Sequence, residues 1–213
     1  MNPFQFMTKL DLTILLGRTA KNAAELLDGI RNVPPMSIYY HTHRFLHQHN
    51  YLSPEPPNDF AYWVTNVLND EELGEQIASI DIIQFVSIEE IRHRFLAILE
   101  EYVNASDRLA DCPRGEDFHF MSCQTFVFPT PYAASSLQEF RDMLQKVSVN
   151  SLYYHMFDAR MRPELGNTDF SIWLRDIGHP ALGAKIQSLD PYSHTLEGLR
   201  RAIIRLVDHH GIH

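Results

Sequence analysis

The sequence predicts a mainly α protein, a tandem duplication of a unit of about five helices with one short N-terminal extended segment per copy and approximate two-fold symmetry between the copies. Three observations carry that prediction. The pentapeptide Ser37-Ile38-Tyr39-Tyr40-His41 returns as Ser151-Leu152-Tyr153-Tyr154-His155. Residues on both sides return with it and in order. Phe4, Phe6 and Met7 match Phe118, Phe120 and Met121; Asp59-Phe60 and Trp63 match Asp169-Phe170 and Trp173; Leu73-Gly74 and Ile77 match Leu182-Gly183 and Ile186. Small changes in spacing fall between the matched blocks, as loop-length differences between two copies would. Thirdly, apolar residues recur at helical spacing behind recognisable helix-start signals.

Each copy opens on alternating aromatics, Phe4-Gln5-Phe6 and Phe118-His119-Phe120, which read as short strands. The second continues through Thr125 to Phe128, and Pro129 and Pro131 are expected to end it. The first helix follows a capping box, Asn22-x-x-Glu25 or Ser136-x-x-Glu139, in which a side-chain oxygen accepts a free backbone N–H and the carboxylate reaches back. A second helix carries the Tyr-Tyr-His. It starts at Pro34-Pro35, where a missing donor costs nothing, and stops before Pro54, Pro56 and Pro57. Asp59 and Asp169 are suitable N-caps for a third helix, which presents Phe60, Trp63 and Val64, or Phe170, Trp173 and Leu174. A short fourth helix surrounds Leu73 to Ile80. The fifth follows the capping box Ser87-x-x-Glu90 and shows Ile88, Ile91, Phe95, Ile98 and Tyr102 on one face; its counterpart shows Leu196, Leu199, Ile203 and Leu206.

Composition narrows the function classes. With 213 residues, 45% of them hydrophobic, the chain can bury a core. The polar connector 104–117 separates repeat one, 1–103, from repeat two, 118–213. The net charge is −9, most of it in the first half, and neither half has the basic stripe that phosphate neutralisation needs. Nucleic acid is therefore not an expected partner. The apolar run from Leu12 to Leu16 is too short for a signal core or a bilayer span, so no membrane association is expected. Two cysteines, Cys112 and Cys123, read as free thiols, which fits a reducing, cytoplasmic setting.

No phosphate-cradling glycine loop, CxxC pair, HExxH or nucleophile elbow is present. Two constellations remain. The first is the histidine-rich second helix of repeat one. His43 and His47 are spaced to share a helical face and could chelate zinc or iron, with His93 of Glu90-Ile91-Arg92-His93 nearby in the helix pattern. The matched positions in repeat two are Phe157 and Met161, so a structural role for this face is the favoured reading. The second constellation occurs in both repeats: Tyr40, His41, Asp59 and Trp63, with Tyr154, His155, Asp169 and Trp173. Here a carboxylate would fix the imidazole tautomer beside a phenol and an aromatic platform, either to bind a small polar ligand or to act as a base. Alternatively the four residues form a satisfied polar core, which the presence of two copies favours.

The succession of Gly17, Glu25-Leu26, Ser37 to His41, Asn58-Asp59-Phe60, Trp63 and Leu73 resembles the uncharacterised prokaryotic domain-of-unknown-function family 5752. Ser151 to His155, Asp169-Phe170 and Trp173 repeat the pattern, with Thr168 replacing Asn58 and Phe140 replacing Leu26. The resemblance implies no established activity, substrate or cofactor.

The sequence thus points to a non-catalytic module that binds a ligand or a protein, with no cofactor predicted. The acidic first repeat would attract a basic partner. The alternative is a metal-binding protein or metal-dependent enzyme using His43 and His47 with His41 or His93; a third possibility uses His41 and Asp59 in acid–base chemistry without metal. Oligomeric state is not encoded in any pattern found.

Overall fold

A computed structural model describes residues 2–44, 57–85, 87–106, 109–161, 167–189 and 195–210. The chain forms two compact units. One comprises Asp11–Gln124; the other comprises Met1–Leu10 together with Thr125–His213. We call them the His41 unit and the His155 unit. The stretch 104–117, which the sequence suggested as a linker, belongs to the His41 unit.

Two long strands set this division. Strand β1 runs from Phe4 to Ala20 and β2 from Phe118 to Ala134, each of 17 residues. They pair as a two-stranded antiparallel sheet. Each unit holds one half of each strand, so Phe4 and Phe6 belong with the helices that follow β2, and Phe118 and Phe120 with those that follow β1.

These strands correct the predicted fold class. The chain is an α/β protein, not a mainly α tandem repeat with one short extended segment per copy. The physical reason lies in residues 12–15 and 126–129, which are exposed on successive positions. With both faces solvated, the middle of the ribbon carries no clear inside-outside alternation. Pro129 and Pro131 do not end β2 either. Both strands of a two-stranded sheet are edge strands, where a residue lacking an N–H is tolerated.

In the His41 unit, helices α1 (Ala23–Asn32) and α2 (Pro35–Tyr39) are followed by a π-helical turn, Tyr40–Arg44. Helices α3 (Asp59–Asn66), α4 (Glu71–Ala78) and α5 (Ile88–Ala105) complete it. The His155 unit contains α6 (Leu137–Leu144), α7 (Val149–Met156), α8 (Asp169–Asp176), α9 (Pro180–Gln187) and α10 (Leu196–His210).

The expected capping boxes form with one adjustment. Asn22 Oδ1 accepts from the Glu25 amide, and Glu25 returns its carboxylate to the Lys21 amide, one residue before the cap. Ser136, Glu139 and Ser135 repeat the arrangement. The third-helix caps differ from expectation. Asn58 and Thr168, not Asp59 and Asp169, accept from the amides of Ala61 and Ser171. That one-residue shift leaves both aspartates available for other work.

Aromatic residues fill both cores. Phe4 and Phe6 pack with Phe140, Phe170 and Trp173 in the His155 unit. Phe118 packs on Phe60 and Trp63 in the His41 unit, and Phe120 on Phe118. Burying one such ring contributes about 2 to 3 kcal/mol. Phe120 also lies over Gly29 of α1, where an added Cβ would come within 2.0 Å of the ring. Only a glycine allows that approach.

Candidate functional site

His41 and His155 sit at the centre of the two sequence constellations, and both are buried. His41 is placed by the π-helical turn and His155 by the ordinary helix α7. Their bonding is nevertheless the same. His41 Nδ1 lies 2.6 Å from Asp59 Oδ2, and its Nε2 accepts the backbone N–H of Met121 at 2.9 Å. His155 Nδ1 lies 2.6 Å from Asp169 Oδ2, and its Nε2 accepts the N–H of Met7 at 2.8 Å.

A backbone amide can only donate, so Nε2 must be the unprotonated nitrogen of each ring. The ring proton is therefore on Nδ1 and is donated to the aspartate. This fixes the tautomer, as the sequence pattern suggested, but it engages both nitrogens. The carboxylate aims the imidazole at a strand amide, and the imidazole holds the strand onto the helices. Neighbouring rings pack the clasp from the side: Phe118 and Phe60 against His41, Phe4 and Phe170 against His155.

The tyrosines that precede these histidines are half-buried, and each meets its histidine edge-on. Tyr40 also carries the Arg44 guanidinium over its ring at 4.5 Å. The tryptophans differ between units. Trp63 Nε1 donates to the Glu116 carbonyl at 2.8 Å. Trp173 is 8% exposed, and its Nε1 is buried with no hydrogen-bond partner among the described residues. Trp173 lines a cavity of about 590 Å³ within the His155 unit, together with Phe4, Gln5, Tyr154, Asp169 and Asp176. Its wall contains His155 and its aspartate, so the cavity and the clasp share a side.

The candidate metal ligands are dispersed or undescribed. His43 is buried and stacks on Tyr39 with ring centroids 5.6 Å apart and planes at 5°. Phe157 stacks on Tyr153 in the matched place. His93 is exposed on α5. His47 lies outside the described residues. Among the described residues no group of three or more His, Cys, Asp or Glu side chains converges on a point.

Cys112 and Cys123 are free thiols. Burial, aided by Asp117, raises the Cys112 thiol above its ordinary value, which disfavours a reactive thiolate there.

Sequence reasoning did not find three features. The clasp donors are the amides of Met7 and Met121, and a backbone donor leaves no mark in the residue code. The Glu116 carbonyl is silent for the same reason. The third feature is an ion pair in the His155 unit, Lys9 Nζ to Asp158 Oδ2 at 2.7 Å, with the ammonium 4.8 Å over the Tyr153 ring. Its signal was a departure from the residue matching between the two halves of the sequence, where Cys123 and Arg44 stand opposite Lys9 and Asp158.

The two histidine–aspartate pairs thus hold strand amides in both units, on one common local plan. The chain belongs to the family of unknown function DUF5752, whose family model matches residues 1–208. Its structure is similar to that of OrfY from Thermoproteus tenax, with a TM-score of 0.83 and 29% sequence identity over 98% of this chain and 95% of the other. No curated protein matches the chain.

Proposed function

We propose that the protein is a non-catalytic binding module in which the two histidine–aspartate pairs are structural clasps and the cavity beside Trp173 receives the ligand. The observation that supports this most is the engagement of both nitrogens of His41 and of His155. A general base must reach the proton it removes. Each of these rings instead accepts from a strand amide and donates to an aspartate. The cavity has the size of ordinary ligand sites and a mixed lining of aromatic rings and carboxylates. A small polar ligand or a segment of a partner protein fits that description. No helix of the described residues is long and apolar enough to cross a membrane. The free thiols support a cytoplasmic setting for the module.

The test is a thermal-shift screen of small polar compounds and short peptides against wild type and Trp173→Phe, followed by NMR of each hit incubated with the protein. Hits should raise Tm in wild type, lose that effect in the variant, and be recovered chemically unchanged. Turnover of a hit, abolished by His41→Gln or His155→Gln in protein that remains folded, would overturn the non-catalytic reading.

A further inference from the structure

We infer that the cavity beside Trp173 takes a small organic cation, a primary ammonium compound whose charge lies beside Asp176 and whose apolar body lies on the aromatic lining. The inference rests on the reading of the His155 unit as a ligand-binding unit, and it specifies the charge of the ligand.

One face of α8 builds the wall. Asp169, Trp173 and Asp176 are spaced by four and three residues, so they share a side of the helix, and all three line the cavity. Two carboxylates thus flank one indole. Among the described residues no lysine or arginine lines the cavity. The His155 ring is neutral, because its Nε2 accepts an amide proton, and so it leaves the Asp169 charge in place. Asp176 meets its neighbour Arg175 at 3.3 Å, with the carboxylate 58% and the guanidinium 60% exposed. An ion pair so open to water offsets the Asp176 charge only in part.

The place of Asp176 in its helix adds to that charge. It is the last residue of α8, where the backbone already carries the negative end of the helix dipole. A carboxylate is disfavoured there, and an arriving cation is favoured by both. The His41 unit has an uncharged residue at the matched position. Asn66 ends α3 and turns its side chain to its own helix, donating from Nδ2 to the Tyr62 carbonyl at 2.9 Å.

The rest of the lining suits the body of such a ligand. Phe4, Tyr154 and Trp173 bring aromatic rings, and Pro3, Ile172 and Ile177 bring aliphatic surface. A ring face attracts a cation through its quadrupole and an apolar group through burial. The tyrosine matched to Tyr154 shows the first attraction within the chain, since Tyr40 carries the Arg44 guanidinium 4.5 Å from its ring centre. An anionic ligand would meet two carboxylates and no basic side chain in the wall, and a neutral one would leave both carboxylates unused.

Three probes share one body and differ in charge: benzylamine, a cation at neutral pH, benzyl alcohol, and phenylacetate. Each is titrated to millimolar concentration into the full protein labelled with ¹⁵N at the tryptophan indoles. The two signals are assigned with Trp63→Phe. Benzylamine should move the Trp173 signal saturably while that of Trp63 stays in place. Benzyl alcohol should bind about tenfold more weakly, and phenylacetate should give no saturable shift. Asp176→Asn, a surface change that leaves the core alone, should weaken benzylamine about fivefold and leave benzyl alcohol unchanged. Benzyl alcohol or phenylacetate binding as tightly as benzylamine, or benzylamine binding unaffected by Asp176→Asn, would overturn the cation assignment while the binding-module reading stands. An unmoved Trp173 signal with all three probes would also overturn the cation assignment. The binding-module reading falls with it only if the thermal-shift screen yields no Trp173-dependent hit.

Discussion

Trp63 and Trp173 stand in the same local frame and end in opposite states. Each lies one turn beyond an aspartate that holds a histidine, and each packs on the first phenylalanine of a strand. The Trp63 N–H is closed off by the backbone of residue 116, whereas the Trp173 N–H faces no acceptor among the described residues. The histidine clasps, by contrast, agree in both units to within 0.1 Å for the amide contact, at 2.9 and 2.8 Å. The lesson is a separation of roles. What the two units share holds strands to helices, and what differs between them is whether the tryptophan donor is satisfied.

The largest expected effect tests the shared part. His41→Ala and His155→Ala each remove a buried ring and its hydrogen bonds to an aspartate and to a strand amide. Each should destabilise by about 3 kcal/mol in chemical denaturation. The losses should be similar, because the clasps are. A near-neutral result for either histidine would show that its strand is held by packing alone and would break the equivalence.

Gly29 sharpens the comparison from the packing side. Its matched position in the His155 unit is Met143, a partly buried side chain at the edge of the core. Gly29→Ala should cost about 2 kcal/mol, because the new Cβ meets the Phe120 ring at 2.0 Å and the buried ring has little room to move. Met143→Ala fills no space and should cost less. Reversal of that order in melting experiments would mean that Phe120 repacks freely.

Much of this was legible in the sequence, for identifiable reasons. The helix caps at Asn22, Ser87 and Ser136 use side chains that compete for helix-end amides, so they can be read directly. The pairing of His41 with Asp59 followed from their joint return as His155 and Asp169. The strands were legible at their aromatic starts, where Phe4, Phe6, Phe118 and Phe120 alternate inward, and in β2 as far as Phe128. Over residues 12–15 and 126–129 the ribbon is exposed on both faces, and burial imposes no pattern on its residues. The distinction between the tryptophans was not legible at all. Both residues are Trp after Asp-Phe, and their fates are decided by a backbone carbonyl from a distant turn.

A smaller effect bears on that distinction directly. Trp63→Phe removes a donor and leaves the Glu116 carbonyl without its protein partner, which should cost about 1 kcal/mol beyond the loss of ring area. Trp173→Phe removes an unpaired buried donor, so its net cost should be close to the packing term alone. Parallel urea melts of the two variants give the difference. Equal losses would mean that the Trp173 N–H is satisfied in solution, and the asymmetry would vanish.

The smallest effect concerns the helix α4 cap and its matched position in α9. Asp70 caps α4 through Oδ1, accepting the Leu73 amide at 2.9 Å, while Oδ2 takes the Tyr102 hydroxyl. At the matched positions stand His179, which gives α9 no side-chain cap, and His210, with ring nitrogens 3.3 Å apart. The hydrogen bond to Asp70, with burial and the same carboxylate's charge adding to it, raises the Tyr102 phenol above its ordinary value. The folded protein therefore keeps this proton to higher pH than the unfolded chain does. The stabilisation is complete below the ordinary tyrosine value of 10.0 and is lost as pH rises through the folded value. Tyr102→Phe should cost about 1 kcal/mol at neutral pH, and the gap from wild type should close as the medium becomes strongly alkaline. Tyrosinate absorbance should lose a late-titrating component in the variant, while the Asp70–Leu73 cap persists. A gap that stays constant with pH would mean that Tyr102 contributes through its ring and not through its hydroxyl.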